Sequence, residues 1–208
     1  MRSSSDASSM LTMISQGVNY ITSPVLTRPS LATDTRRITQ AALFAVLMVA
    51  GAFARLPLFG VPLTLQTFFV YLSGLLVDPW TAGFGQALYL LLGLLGLPVF
   101  AGGLVGPQAL LGPTGGFLLS FPIAAFFESW TARSGSAARR LAGLAVAFGV
   151  IFGMGGSFFA AYFSTWDLNV VSIFLPFMLW DAAKAALAYG VARSIGKAAP
   201  SRPTSAKP

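Results

Sequence analysis

Cysteine and histidine are both absent from this 208-residue chain, and charged residues make up only 9% of it. Without them there is no thiolate or imidazole metal site, no cysteine nucleophile and no histidine-based triad. Carboxylate, lysine or tyrosine chemistry stays open in principle. A soluble domain carries about a quarter charged residues, so the deficit argues against an ordinary water-facing surface. What takes their place is apolar: 55% of residues are hydrophobic and the mean hydropathy is +0.75. No charge occurs over residues 79–127 or 141–166. Each window exceeds the roughly 20 apolar residues that cross a bilayer core. The composition predicts an all-α integral membrane protein.

The net charge of +7 would suggest nucleic acid in a soluble chain, but the positions of the charges explain it otherwise. Six apolar spans are predicted, over 38–54, 63–77, 80–97, 114–130, 141–163 and from Pro176 to about Gly196. Of the basic residues, Arg2, Arg28, Arg36, Arg37, Arg133, Arg139, Arg140, Arg193, Lys197, Arg202 and Lys207 fall on one side. Arg55 falls on the other, and Lys184 lies within a span. The positive-inside rule then puts both termini in the cytoplasm of a multi-pass cell-membrane protein, with attraction to anionic lipid a secondary effect. The organisation expected is an N-terminal extension over 1–35, a membrane domain over 36–197 and a disordered tail over 198–208. For the extension two readings stand, a disordered tail and a transit peptide.

Between the third and fourth spans runs Gly93–Gly116, GLLGLPVFAGGLVGPQALLGPTGG, uncharged but broken by three prolines and eight glycines. Irregular backbone at membrane depth is tolerated only against protein or a wet cavity. This stretch is therefore expected to wall a ligand pocket. Asp181 and Lys184 of the last span are three apart and share a helix face. Counted from a helix start at Pro176, they would lie about 7–8 Å and 12 Å along it. Intramembrane charges default to a functional site, with an internal packing pair as the plain alternative. Trp180 beside them reads equally as pocket wall or interfacial anchor. Gln66, Gln86 and Tyr89 each need a hydrogen-bond partner, from a neighbouring helix or a ligand. Thr114 and the Gly115–Gly116 backbone would donate at a helix start. Arg55 reads first as a snorkelling side chain and second as a lure for anions. The Leu56–Pro62 connection, with Pro57, Gly60 and Pro62, is a candidate lid. Ala41/Ala45 and Ala50/Ala54 repeat a small-xxx-small spacing suited to close helix contact, and Gly153, Gly155, Gly156 and Ala160 form a similar patch suited to internal packing.

Four motifs in order, VPLTLQTFFVYLSGLL, LYLLLGLLGLPVFAGG, LLGPTGGFLLSFPIAAF and a terminal D-x-x-K, resemble BioY, the family of biotin-binding S components of energy-coupling-factor (ECF) transporters. The resemblance covers about Ile38 to Gly196. It implies a six-helix S-component bundle with a substrate cavity near the outer face, a transmembrane coupling protein and a pair of ABC-type ATPases. It makes Asp181 and Lys184 ligand-binding positions, and Ala41 and Ala45 contacts to the coupling protein. Biotin's ureido head, apolar ring and anionic tail would then meet Asp181 (ureido N–H), Gln86 or Tyr89 (carbonyl), Phe100 and Trp180 (ring), with Lys184 pairing Asp181 or the tail. The uncharged Pro98–Thr114 loop departs from the basic groups expected around such a pocket. The chain has no G-x-x-x-x-G-K-[ST], so ATP energy is expected from partner subunits. No cofactor, catalysis or nucleic-acid partner is expected. The alternatives are an S component for another vitamin, an intramembrane enzyme using Asp181 and Lys184, and a structural membrane subunit.

Overall fold

The computed structural model describes residues 31–58, 61–133, 136–164 and 168–198. Among them are seven helices and one hairpin: α1 (Leu31–Phe53), β1 (Arg55–Leu58), β2 (Val61–Thr64), α2 (Gln66–Leu76), α3 (Pro79–Leu94), α4 (Pro107–Leu111), α5 (Gly115–Ala132), α6 (Ala137–Tyr162) and α7 (Leu168–Ala198). The chain divides into two compact units, 1–36 and 37–208, and the features that form the candidate site all belong to the second. Of the N-terminal extension and the C-terminal tail, residues 1–30 and 199–208 lie outside the described residues, as does Asp167.

Several boundaries differ from the sequence expectation. Helix α1 begins at Leu31 rather than after Arg37, because LATDTRR is helix-compatible and charge alone does not end a helix. The 55–62 connection is no open loop: β1 and β2 pair antiparallel, with Arg55 opposite Thr64 and Leu56 opposite Leu63. Pro176 does not open the last helix but lies inside α7, which starts eight residues earlier at Leu168. An interior proline is tolerated where neighbouring groups satisfy the backbone it frees. Asp181 consequently sits about 20 Å from the start of its helix, at 1.5 Å per residue, rather than within the first two turns.

The glycine-rich break folds back on itself. Gly106 N–H donates to Gly93 carbonyl O at 2.8 Å, and the Phe100 ring lies against Gly93 so closely that a Cβ there would overlap it. Gly106, at φ +71°, then starts α4, with Pro107 in its first turn. Two positions of close backbone approach tie α5 to α6. A Cβ on Gly143 would lie 2.7 Å from the Glu128 carbonyl O, and one on Gly116 would lie 2.8 Å from that of Met154. Helices in lipid associate through such close packing, since the tails are as apolar as the side chains. Of the α6 small-residue patch, Gly155 meets the Phe117 ring, whereas a Cβ on Gly153 or Gly156 would meet nothing within 4 Å. Only part of that patch is internal packing.

Ala41 and Ala45 are each 1% exposed. Gly85 of α3 packs against them: its Cβ would come 3.0 Å from the Ala41 carbonyl O. The alanine pair is used inside the chain's own bundle, not on a docking face. The open face of α1 instead presents Leu43, Val46 and Phe53. Among the described residues, Asp34–Phe53 and Ala137–Tyr162 are the two helical stretches long and apolar enough, by composition, to cross a bilayer.

Asp78 caps α3. It accepts from the Thr81 N–H at 3.3 Å and the Thr81 hydroxyl at 2.6 Å, and Arg37 Nε lies 3.5 Å from its Oδ2. Partial burial alone would raise its pKa, but the Thr81 bonds and the Arg37 charge outweigh it and hold the carboxyl below its usual range. A depressed folded-state value means that the stabilisation is present above the unfolded carboxylate value and is lost as pH falls through the folded one. Asp78→Ala is therefore expected to lower stability by about 1 kcal/mol at neutral pH. Thermal unfolding in detergent should show that gap closing on acidification below about pH 4. By the same assay, Gly143→Ala should destabilise by about 1–3 kcal/mol through overpacking against backbone. Gly153→Ala, in open space, should be neutral or stabilising by up to about 1 kcal/mol.

Candidate functional site

A cavity of about 330 Å³ lies among β2, α2, the 98–114 segment, α5, α6 and α7. That size falls at the lower end of small-molecule pockets, roughly 300–1,000 Å³. Most of the wall is apolar, with Phe100, Phe117, Phe121, Ile151, Phe152, Phe174 and Phe177 contributing. The expected role of the glycine-rich break holds, since Phe100, Ala101, Leu104, Gln108, Ala109, Gly112, Pro113 and Thr114 form one side. Apart from Gln108 and Thr114 on that side, the polar lining residues are Thr64, Gln66, Thr67, Asp181 and Lys184, which hydrogen bonds join into one corner.

That corner is a closed network on one side and open on the other. Lys184 has three N–H donors. They reach the Thr64 carbonyl O at 2.8 Å, Thr67 Oγ1 at 2.6 Å and Asp181 Oδ1 as an ion pair. The ammonium is fully used by the protein. Thr67 in turn donates its hydroxyl hydrogen to Asp181 Oδ1 at 2.8 Å. Among the described residues, Asp181 Oδ2 accepts only from the Tyr71 hydroxyl, at 3.3 Å. A carboxylate offers about four acceptor positions, so one on Oδ2 is left for a ligand N–H. Gln66 accepts from the Thr64 hydroxyl at 3.0 Å and donates to Tyr89 Oη at 2.7 Å, which leaves a second amide N–H. Tyr89 passes its own hydrogen to the Val99 carbonyl at 3.3 Å and meets the Phe100 ring edge to face. An acceptor on Asp181 and a donor on Gln66 therefore line one aromatic cavity.

A chain with this geometry has known counterparts. The BioY family model matches residues 21–201. The chain belongs to the BioY family. It is 38% identical over 165 residues to the biotin transporter BioY of Thermotoga maritima, covering 78% of this chain and 96% of that one. To the probable biotin transporter BioY of Pyrococcus horikoshii it is 36% identical, covering 77% and 96%. A crystal structure of the S-component for biotin from an ECF-type ABC transporter superposes with a TM-score of 0.74. It covers 82% of this chain and 95% of that chain at 21% identity, a likeness of fold.

Within this BioY-family chain, Gln66, Phe100, Thr114, Asp181 and Lys184 are brought together on the cavity wall, as the sequence analysis expected. Three candidates are not. Gln86 is fully buried away from it and donates to Ser73 Oγ at 3.1 Å. Tyr89 stands behind Gln66 and Phe100 rather than on the wall. Trp180 is 47% exposed and turned outward, one residue being 100° of helix rotation from Asp181. The sequence analysis missed Thr64, Thr67 and Tyr71. Thr67 and Tyr71 are four apart in α2, the spacing that places two hydroxyls on one helix face. Glu128 was also passed over: it is 0% exposed, neither carboxylate oxygen has a hydrogen-bond partner among the described residues, and it presses on Gly74 of α2.

Thr67→Val keeps the shape of the side chain but removes both of its bonds within the ion pair. It should lower stability by about 1–3 kcal/mol, the cost of leaving buried charged groups short of partners. Thr67→Ser should retain most of it in the same detergent unfolding assay.

Proposed function

We propose that this chain is the substrate-binding membrane subunit for biotin uptake, energised by a coupling protein and an ABC-type ATPase pair supplied by other subunits. The observation that carries the reading is the open acceptor on Asp181 Oδ2 beside the spare Gln66 N–H, at the end of an aromatic cavity in a BioY-family chain. A ureido ring presents N–H donors flanking a carbonyl acceptor, the complement of that pair. Gln66 thus takes the carbonyl role that the sequence analysis gave to Gln86 or Tyr89. Phe100 and the α5–α7 phenylalanines enclose the apolar ring. Lys184 acts by fixing Asp181 in place, since its donors are already engaged.

Six spans with both termini cytoplasmic are supported by the apolar windows and the one-sided basic residues. Large apolar side chains on the outside, among them Trp80 at 76% and Leu179 at 67% exposed, suit contact with lipid. The proposed membrane domain is 36–197, the multi-pass core of a cell-membrane protein. The cargo is carried unchanged, consistent with relatives that are named transporters.

Isothermal calorimetry on purified protein in detergent tests the cargo. Biotin should bind, desthiobiotin should bind through the same ureido group, and thiamine should give no heat. Asp181→Asn and Gln66→Ala should each weaken biotin binding about 10–100-fold, the equivalent of about 1.5–3 kcal/mol for a hydrogen bond to a charged or buried partner. Unchanged affinity in both variants, or binding of thiamine in preference to biotin, would overturn the assignment.

A further inference from the structure

Biotin carries an anionic tail, and the cavity as described contains no free cation to meet it. The 98–114 segment is uncharged, and all three Lys184 donors are committed within the protein. A second basic side chain nevertheless stands at the mouth. Arg55 opens β1, and the hairpin register sets it opposite Thr64, whose carbonyl holds Lys184 and whose side chain lines the cavity. Residues directly opposite in an antiparallel pair project to the same face, with Cβ atoms about 4.5–5.5 Å apart. The Arg55 side chain therefore runs along the cavity side of the hairpin.

Its guanidinium ends against the opposite rim. A Cβ on Gly102 would lie 2.9 Å from Arg55 Nη1 and 3.4 Å from Cζ. Gly102 is at φ +85° and follows directly on Phe100 and Ala101, which line the cavity. The glycine leaves the space that the guanidinium occupies. Among the described residues the ion pairs are Arg37–Asp78 and Lys184–Asp181, and neither involves Arg55, which is exposed. A guanidinium at the cavity rim, with no carboxylate of the described residues on its planar fork, matches a carboxylate in two-pronged geometry.

We infer that Arg55 is the residue that recognises the carboxylate at the tail of the bound ligand. The inference rests on the biotin reading and extends it: the ureido ring is held at the Asp181 end, and the tail points out toward the hairpin. Binding of an anionic tail by Arg55 would also draw the hairpin against the 98–106 loop, so ligand selection and closure of the mouth share one side chain.

Calorimetry with biotin and with its methyl ester, which keeps the ring but loses the tail charge, tests this directly. Wild-type protein should prefer biotin to the ester by about tenfold or more. Arg55→Gln should lose that factor for biotin and bind the ester as wild type does, bringing the ratio close to one. Arg55→Lys should keep part of the preference, and added salt should narrow it in the wild type and in Arg55→Lys but not in Arg55→Gln. Three outcomes overturn the inference: an unchanged ratio in Arg55→Gln, as expected of a side chain that only snorkels to the interface; equal binding of both ligands by the wild type; or an equal loss of both in the variant. In all three the wild type still binds biotin, and the biotin reading stands. Failure of folded wild-type protein to bind either ligand would overturn the biotin reading, and this inference with it.

Discussion

A lysine and an aspartate held together in an apolar bundle set the terms for the rest of this structure. Each charge alone would be costly away from water, and the pair is retained only because hydroxyls and a backbone carbonyl complete its bonding. Thr67 is the joint, accepting from Lys184 while donating to Asp181. Since Thr64 and Thr67 lie on β2 and α2 and the charges on α7, satisfying the pair requires the hairpin, the second helix and the last helix to meet. Among the described residues, the same bonding leaves an acceptor position on Asp181 Oδ2 unclaimed beside Tyr71. A requirement for stability and a ligand-facing acceptor are two sides of one network.

Around that corner, backbone proximity does what the hydrophobic effect does in a soluble core. Glycines at 116 and 143 let α5 and α6 approach each other's carbonyls, and Gly85 seats α1 on α3. Gly93 receives Phe100, which turns an irregular uncharged loop into a fixed cavity wall. Proline and glycine are usually read as interruptions. Here they let a non-helical segment close one side of a pocket without leaving large gaps beside it. Phe100 then supports Tyr89, and Tyr89 supports Gln66, so the loop reaches the polar corner through two contacts. Arg55 completes the circuit at the rim, where the hairpin and the loop face one another.

Much of the fold was legible in the amino-acid order because its causes are local. Charge-free windows, the position of the basic residues and the i, i+3 spacing of Asp181 and Lys184 depend on composition and helix period alone. Four ordered motifs carried the family, which the profile match and the curated relatives establish. Helix types and most boundaries followed from the same signals. Where they failed, at the start of α1 and at Pro176, a charge cluster and a proline were treated as stops that neighbouring structure overrides.

Composition and spacing by themselves determined that the chain is helical and apolar, with an uncharged break and a buried charge pair. They could not decide which polar side chains share the pocket, because that depends on contacts between residues over a hundred positions apart, such as Thr67 with Asp181 and Thr64 with Lys184. Gln66, Gln86 and Tyr89 look alike in sequence, each a polar group in an apolar run. Only packing put Gln66 on the wall, Tyr89 behind it and Gln86 elsewhere. Ala41 and Ala45 were turned inward by the same means, and a two-stranded hairpin brought Arg55 to the mouth. Helix period is a property of neighbours along the chain, whereas which face meets which neighbour is set by the simultaneous fit of all the helices.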